Sequence, residues 1–375
     1  MESEFPQNAG LIYLNHAGVG PWPRRTGNAV CDFAFENVSA GPIDYEAWIH
    51  TETVLREQLR QMINAPSIAD IALMKNTSEA LSTVAYGIEW NAGDNIVTTR
   101  QEFPSNRIVW ESLRTRGVET RLADLDSTSI PEDAVAALTD RRTRLIAISS
   151  VQYASGLRVD LQALGEFCRA RNIFFCIDAI QSIGAVTFDA QKYHADFVVA
   201  DGHKWMLGPE GVALFYCRAE LRERLKVQQF GWHMVEAVGN YDAMQWEPAR
   251  SARRFECGSP NMLGIHALSA SLSLLLEIGM NQVEKLVLEK SSLLIARLSA
   301  DARFKLLTPT QVGRYAGIVN CRHRHENSEQ LARVLKERQI FCAVRAGGIR
   351  FSPHFYTQNE QLEKALEVLF ELAPR

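Results

Sequence analysis

Between Ile71 and Cys217, short apolar runs alternate with longer amphipathic stretches, and this alternation restricts the fold more than any other feature of the sequence. A continuous apolar run suits a strand that is buried on both faces, and an amphipathic stretch such as Ser78–Trp90 or Asp160–Arg171 suits a helix that covers the sheet. The pattern therefore predicts an α/β fold with a mostly parallel sheet between two layers of helices. The predicted strands are Ile71–Met74, Asn95–Thr99, Leu145–Val151, Ile173–Asp178, Phe197–Ala200 and Val212–Tyr216.

After Gly258 the pattern changes, and longer helices flank short strands. This change predicts a second, smaller α+β domain, and a length of 375 residues suits two domains. The predicted bounds are 17–258 for the large domain, with 1–16 and 259–375 forming the small one. Its predicted elements are helices at Met262–Gly279, Asn281–Ala300 and Asn359–Leu372 and strands at Gly317–Cys321 and Phe341–Val344.

The charge balance argues against large polyanionic partners. Lys and Arg total 40 against 44 Asp and Glu, a formal net charge of −4, so neither nucleic acid nor a membrane surface is expected as a partner. The seven cysteines are scattered without Cys-x-x-Cys spacing, which is typical of reduced thiols, and no metal site is predicted. The acidic start lacks the pattern of a secretory signal. We therefore expect a cytoplasmic protein that acts on a small molecule.

Residues that could bind a ligand or take part in catalysis follow three of the predicted strands, where the loops of a parallel sheet converge. Thr77 and Ser78 open a helix after the first strand, and free N–H groups there can hold a phosphate, although such residues also cap helices everywhere. Asp178 ends another strand and is either functional or a structural acid. Lys204 follows a third strand between His203 and Trp205, a setting in which desolvation would favour Schiff-base chemistry over a role as a surface charge.

The order of these features resembles the fold-type-I pyridoxal-phosphate enzymes, and more narrowly the class V aminotransferase family. That family includes cysteine desulfurases, kynureninases and isopenicillin-N-epimerase-like proteins. The resemblance runs from Tyr13-Leu14-Asn15-His16-Ala17 to Phe351-Ser352-Pro353-His354-Phe355-Tyr356, and its most specific piece is Asp178, Gln181 and His203-Lys204. It implies a seven-stranded, mostly parallel sheet in the large domain, pyridoxal 5′-phosphate as cofactor, and a homodimer with shared active sites.

The resemblance also implies roles for the residues around the cofactor ring. Lys204 would hold the cofactor as a Schiff base and then carry a proton, and Asp178 would pair with the ring nitrogen. Gln181 would bind the 3-hydroxyl oxygen, while His203 would pack beside the ring and complete the catalytic set. Thr77 and Ser78 would bind the phosphate.

The family pattern also predicts further cofactor-binding residues. Phe103 in Glu102-Phe103-Pro104-Ser105-Asn106 matches an aromatic residue that stacks on the cofactor, with a core aromatic as the alternative. Gln152 falls where relatives place an amide near the 3-hydroxyl group or the substrate. Asp201 departs from the Ser or Thr of many relatives, which leaves its role open because an anion repels a phosphate.

Other matches concern the substrate and the subunit partner. Arg350 matches the arginine that clamps the substrate carboxylate, and Asn15 and His16 are further predicted substrate contacts. Ser259 would reach the phosphate of the partner subunit. Arg253 and Arg254 either lie at the dimer interface, the favoured interpretation, or recognise a second acidic group on the substrate.

The reaction is the least constrained prediction. Transamination of a small α-amino acid is the leading hypothesis, and a kynureninase-like or C–S lyase or an isopenicillin-N-epimerase-like epimerase is the alternative. A cysteine desulfurase is disfavoured because no cysteine lies between Ala343 and Arg350, and Cys342 falls inside a predicted strand. A non-catalytic binding protein on the same fold is disfavoured because Lys204 and Asp178 are both present.

Overall fold

A computed structural model describes residues 3–372 of the chain. The helices are α1 Arg24–Ala40, α2 Tyr45–Met62, α3 Thr77–Gly87, α4 Ser105–Glu111, α5 Pro131–Ala137, α6 Leu161–Arg171, α7 Met262–Ile278, α8 Met280–Ser299, α9 Ser328–Glu337 and α10 Asn359–Leu372. The strands are β1 Ile12–Tyr13, β2 Ile71–Met74, β3 Asn95–Thr99, β4 Glu119–Ala123, β5 Thr143–Ser149, β6 Phe174–Asp178, β7 Phe197–Asp201, β8 Ala213–Cys217, β9 Phe304–Leu306, β10 Val319–His323, β11 Ile340–Phe341, β12 Ala343–Arg345 and β13 Gly348–Phe351.

The central sheet has seven strands in the order β2-β8-β7-β6-β5-β3-β4. Strands β4, β3, β5, β6 and β7 pair in parallel, whereas β8 is antiparallel to both of its neighbours. Strands β3, β6, β7 and β8 consist largely of buried residues, as a sheet covered on both faces requires. The predicted α/β fold with a mostly parallel seven-stranded sheet is confirmed.

Strand β4 was not predicted from the sequence. Its residues, Glu119 to Ala123, are mostly polar, and only Ala123 is buried. The strand lies at the edge of the sheet beside β3, where one face and one edge remain accessible, so no apolar run is needed to form it. The other central strands lie within a few residues of their predicted positions.

Helix α7 packs against the large sheet although it follows residue 258. Its buried side chains Ile265, Leu268 and Leu272 belong to the same apolar core as Leu55 and Leu59 of α2. A second apolar core, which includes Leu294 of α8, Leu14 and Phe351, holds the four-stranded sheet β12-β13-β10-β9. The sequence bounds of 17–258 and 259–375 therefore stay a prediction, and the change from one core to the other occurs along α8.

The N-terminal segment pairs with strands of the C-terminal part of the chain. Strand β1 pairs in parallel with β11, and Asn15 forms a bridge with Ser352 just after β13. No single helix among residues 3–372 is long and apolar enough to cross a membrane. Helices α7 and α8 together have the length and composition of a bent membrane span, but the apolar side chains of α7 lie in the core.

A buried ionic cluster ties α2 to the segment before Ser259. Arg56 donates to both carboxylates, Glu52 and Glu256, and Glu256 also accepts from the Leu73 N–H of β2 at 2.9 Å. The ring of His233 lies 3.6 Å from Glu256. Although Glu52, His233 and Glu256 have the spacing of metal ligands, the guanidinium of Arg56 already contacts both carboxylates. The ion pairs of Arg56 with Glu52 and Glu256 therefore tie α2 to this segment.

Candidate active site

Lys204 lies in a turn directly after β7, at the carboxyl edge of the sheet. The turn is closed by a hydrogen bond from the Leu207 N–H to the Lys204 carbonyl at 3.1 Å. The N-terminal segment packs tightly against it, since a Cβ on Gly20 would stand 2.3 Å from the Lys204 carbonyl oxygen. Glycine at position 20 therefore allows the chain to cover the turn that presents the lysine.

The Lys204 ammonium is buried and lies under an aromatic ring. Burial lowers the pKa of Lys204, with Arg350 and Arg345 adding to the shift and Asp178 opposing it. Its Nζ atom lies 5.5 Å from the centroid of the Phe103 ring. Phe103 is 42% exposed and meets Tyr153 edge-on at 5.3 Å, so it is not the core aromatic of the alternative interpretation.

Asp178 ends β6 beneath this lysine. It is only 2% exposed, its Oδ1 accepts the Ile180 N–H at 3.1 Å, and it forms no ion pair within residues 3–372. Burial raises the pKa of Asp178, Glu102 adds to the shift, and Lys204 opposes it. A buried carboxyl without a cation in contact is suited to pair with a positively charged ring nitrogen.

Gln181 lies one turn after Asp178 and is already hydrogen-bonded. Its Nε2 donates to the Ala17 carbonyl at 3.1 Å, and its Oε1 accepts from the indole of Trp205 at 2.8 Å. Since an amide NH₂ carries two hydrogens, one N–H of Gln181 is left for another acceptor. A bond from Gln181 to the cofactor stays a prediction.

The predicted phosphate site lies where α3 begins beside the end of β7. The N–H groups of Thr77 and Ser78 find no acceptor in the part of the chain that the structure describes. The Thr77 hydroxyl accepts the Asp201 N–H at 3.1 Å, while the Asp201 carboxylate faces the His203 ring, with Oδ1 and Nδ1 2.9 Å apart. Neither of these two atoms has a hydrogen-bond partner in the described residues, so the role of Asp201 stays open.

Gln152 follows β5 and contacts an acid to which the sequence analysis gave no role. Its Nε2 donates to Glu102 at 3.0 Å, and both residues are buried. The sequence signal was available, because Glu102 directly precedes Phe103 in the segment that matches the family.

Arg350 is a buried arginine without a carboxylate partner. It is 1% exposed, donates to the Tyr153 carbonyl at 2.8 Å and to Asn15 Oδ1 at 3.1 Å, and forms no ion pair within residues 3–372. Its Nε has no hydrogen-bond partner there either. Burial and the charge of Arg345 lower the pKa of the Arg350 guanidinium. Such a cation is ready to accept an anionic ligand.

Asn15 and His16, the two other predicted substrate contacts, differ in whether their polar atoms are already hydrogen-bonded within the fold. Asn15 contacts Arg350 and therefore belongs to the same group of residues. His16 is fully buried, and its ring nitrogens lie 2.8 Å from the Ser352 carbonyl and 2.7 Å from the Tyr356 hydroxyl. Because both nitrogens are engaged, His16 supports the fold in this conformation, and its contact with substrate stays a prediction.

Ser259 and Arg253 were assigned to the subunit partner or the dimer interface. Ser259 is exposed on the segment before α7, and a role at the partner's phosphate stays a prediction. Arg253 donates to the carbonyls of His233 and Glu236, which fixes the segment 230–247. Arg253 is thus occupied by backbone contacts, and recognition of a second acidic substrate group gains no support from it.

These residues fit pyridoxal phosphate. The unpaired N–H groups at the start of α3 suit a phosphate, Asp178 suits the ring nitrogen, and the half-exposed ring of Phe103 provides a stacking surface over Lys204. Oε1 of Gln152 and Nε of Arg350 are buried without hydrogen-bond partners in residues 3–372, and a ligand could supply these bonds. Fold and site together define a fold-type-I pyridoxal-phosphate enzyme.

Comparison with known proteins specifies the family. The chain belongs to the aminotransferase class-V family, whose model matches residues 32–364. A curated relative from Methanothermobacter thermautotrophicus, named a probable cysteine desulfurase, is 29% identical over 99% of this chain and 96% of its own length. A relative of the same name from Pyrococcus abyssi is 29% identical over 84% of this chain and 82% of its own length. Among solved structures, a cystine C–S lyase in complex with its product cysteine persulfide has a TM-score of 0.91 at 22% identity, covering 99% of this chain and 100% of that one.

These relatives confirm the family, the cofactor and enzymatic function, and they overturn the predicted reaction. Transamination is wrong as the leading hypothesis, and disfavouring a cysteine desulfurase is also wrong, because the two curated relatives described above, similar over 99% and 84% of this chain, are named probable cysteine desulfurases. The absence of a cysteine between Ala343 and Arg350 was given more weight than the resemblance of nearly the whole chain to a family that includes cysteine desulfurases. The predicted strand Phe341–Val344 is divided into β11 and β12, and Cys342 lies between them, half-buried and outside either strand. Burial raises the pKa of its thiol to about 12.

Proposed function

We propose that this protein cleaves the carbon–sulfur bond of cysteine or a close cysteine derivative, using pyridoxal phosphate held by Lys204. The observation that carries the proposal is the buried guanidinium of Arg350, which has no carboxylate partner in residues 3–372 and lies close enough to Lys204 to lower its pKa. A free α-amino acid brings the carboxylate that this cation needs. The names of the curated relatives support a sulfur-containing amino acid as the substrate.

Each residue then has a defined task. Bound pyridoxal phosphate supplies an electron sink for the α-carbon of the substrate. Arg350 and Asn15 hold the carboxylate and thereby fix the substrate's orientation. Lys204, with a lowered pKa, is able to take a proton at the α-carbon near neutral pH. Phe103, held edge-on by Tyr153, offers its ring beside this ammonium.

We expect the purified, cofactor-loaded protein to release sulfur from cysteine. Elimination would convert cysteine and water into pyruvate, ammonia and hydrogen sulfide, whereas transfer of sulfur to an acceptor thiol would leave alanine. Mass spectrometry of the carbon product together with a sulfide assay, with and without an added thiol, distinguishes the two routes.

Two controls make this experiment decisive. Lys204→Ala should form neither pyruvate nor alanine from cysteine. Alanine, which has no sulfur, should yield no pyruvate when it is supplied as the substrate. If cysteine and cystine give neither pyruvate nor alanine while the cofactor is bound, the proposed function is wrong.

We also propose a homodimer, supported by an exposed apolar segment, and a cytoplasmic location, supported by seven scattered cysteines typical of reduced thiols. Within residues 230–246, Tyr241 is 76% exposed, Met244 94% and Trp246 56%, and clustered apolar exposure of this kind marks an interface. Ser259 would then lie close to the partner's site, as the family pattern implies.

Light scattering checks the dimer. Met244→Asp with Trp246→Glu should convert the dimer into monomers, because charges would be buried without partners at the interface. Val312→Asp replaces a similarly exposed apolar residue, 87% exposed and outside this segment, and should leave the dimer intact. A wild-type monomer with full activity at assay concentration would contradict the proposal.

A further inference from the structure

The carboxylate of Glu102 lies buried at the carboxyl edge of the sheet. It follows β3, directly precedes Phe103 and is 4% exposed. Burial raises the pKa of Glu102, and hydrogen bonds from Ser149, Gln152 and Asn106 oppose the shift. No cation forms an ion pair with it in the described part of the chain. Its contacts are therefore hydrogen bonds alone, and their directions can be assigned.

The two oxygens of Glu102 accept from different donors. Oε1 accepts the Ser149 N–H at 2.8 Å and Gln152 Nε2 at 3.0 Å. Oε2 accepts from Asn106 Nδ2 at 3.2 Å and contacts the Ser149 hydroxyl. The Asn106 amide is itself fixed, because its Oδ1 accepts from the indole N–H of Trp110 at 2.9 Å.

These contacts determine which end of the Gln152 amide faces Glu102. A backbone N–H only donates, so Oε1 of Glu102 is an acceptor even if the carboxyl is protonated, since the proton would then sit on Oε2. Gln152 must therefore present its NH₂ group to Glu102. Its carbonyl oxygen points elsewhere and is buried without a hydrogen-bond partner in residues 3–372. An orphan acceptor of this kind is costly unless a ligand satisfies it.

Gln152 stands in the chain beside residues of the active site. Ser149 pairs with Asp178 in the register of β5 and β6, and Glu102 is close enough to raise the pKa of Asp178. The next residue, Tyr153, accepts from Arg350 through its carbonyl and packs against Phe103. Gln152 thus lies on the loop between the strand end beside Asp178 and the carbonyl that holds Arg350.

We propose that Glu102 is a positioning residue that fixes the Gln152 amide so that it presents a hydrogen-bond acceptor, and not a donor, to the bound pyridoxal cofactor. The inference goes beyond the proposed reaction, because it depends on the cofactor and not on the substrate. An acceptor favours the protonated form of the group it faces and raises that group's pKa. Loss of the acceptor, or of its orientation, lowers the pH at which the cofactor loses its proton.

The pH dependence of the bound cofactor's visible absorbance tests this without any turnover. Glu102→Ala and Gln152→Leu are each expected to lower the pH midpoint by about one unit, the scale of one hydrogen bond to a titrating group. The double variant should show no further shift, because both substitutions remove the same contact. Unchanged midpoints in the folded, cofactor-bound variants, or shifts that add in the double variant, would overturn the proposal.

Two controls separate positioning from a general loss of structure. Glu102→Gln keeps a carbonyl oxygen that accepts from Ser149 and Gln152, so its midpoint should stay near that of the wild type. Glu132 is a matched buried glutamate, 6% exposed, that accepts from Arg314 and the Asp160 N–H. Glu132→Ala should lower the temperature of unfolding and leave the absorbance midpoint in place. If Glu102→Ala does not fold, Gln152→Leu decides alone, and a midpoint at or above the wild-type value overturns the proposal.

Discussion

Asp178→Asn is expected to bind pyridoxal phosphate and to lose several orders of magnitude in turnover. The carboxylate is buried and free of ion pairs in residues 3–372, so it can keep the ring nitrogen protonated by its negative charge. An amide has the same shape and no charge, and an unprotonated ring is a poor electron sink. Single-turnover measurement of sulfide or pyruvate release, with the cofactor content matched by absorbance, gives the ratio of rates.

The same substitution should have the opposite effect on the stability of the cofactor-free protein. Burial raises the pKa of Asp178 in the folded protein above 3.8, its ordinary value in the unfolded chain. Between these two pKa values the unfolded chain loses the proton while the folded protein keeps it, so the stability of the fold decreases as the pH rises through this range. Asp178→Asn removes this cost and should unfold at a higher temperature at about pH 8, with a difference that shrinks towards acidic pH. Asp196→Asn is a control for turnover, which it should leave near the wild-type value, since that buried acid pairs with Arg218. Turnover close to wild type in Asp178→Asn would show that another acid serves the ring nitrogen.

The sequence was informative where one physical requirement dominated. Apolar runs identified the strands buried on both faces, and helix α10 was predicted with its observed bounds, Asn359–Leu372, because its amphipathic pattern is strong. Strand β4 was missed because an edge strand can be polar. The parallel topology also explains why residues as distant as Thr77 and Asp201 meet, since the carboxyl ends of β2 and β7 share one edge.

Side-chain contacts between distant segments could not be predicted from the residues themselves. A glutamate is usually a surface residue, and nothing in the sequence marks Glu102 as different. Its burial and its hydrogen bonds from Ser149 and Gln152 are seen only in the structure. His16 was expected to meet substrate, yet the fold surrounds both of its ring nitrogens. In each case the partner lies more than forty residues away along the chain, so no local pattern encodes the contact.

Arg350→Ala is expected to reduce kcat/KM for cysteine by about thirty- to several-thousand-fold. Leaving a substrate carboxylate unpaired in a partly closed site costs roughly 2–5 kcal/mol, and about 1.4 kcal/mol corresponds to a factor of ten. Arg350→Lys should recover only part of the loss, because an ammonium lacks the planar fork of donors, and Asn15 Oδ1 and the Tyr153 carbonyl are placed for a guanidinium. The absorbance of the bound cofactor should stay unchanged in both variants.

Cysteine methyl ester separates carboxylate binding from general damage to the site. It retains the α-hydrogen and the carbon–sulfur bond but lacks the negative charge, so the wild-type enzyme should strongly prefer cysteine, and Arg350→Ala should lose most of that preference. The quantity to measure is the ratio of kcat/KM for the two substrates in wild type and variant. A general defect would lower both values together and leave their ratio in place. An unchanged ratio would therefore mean that the buried cation serves another anion, and the assignment of a free amino acid as the substrate would fail with it.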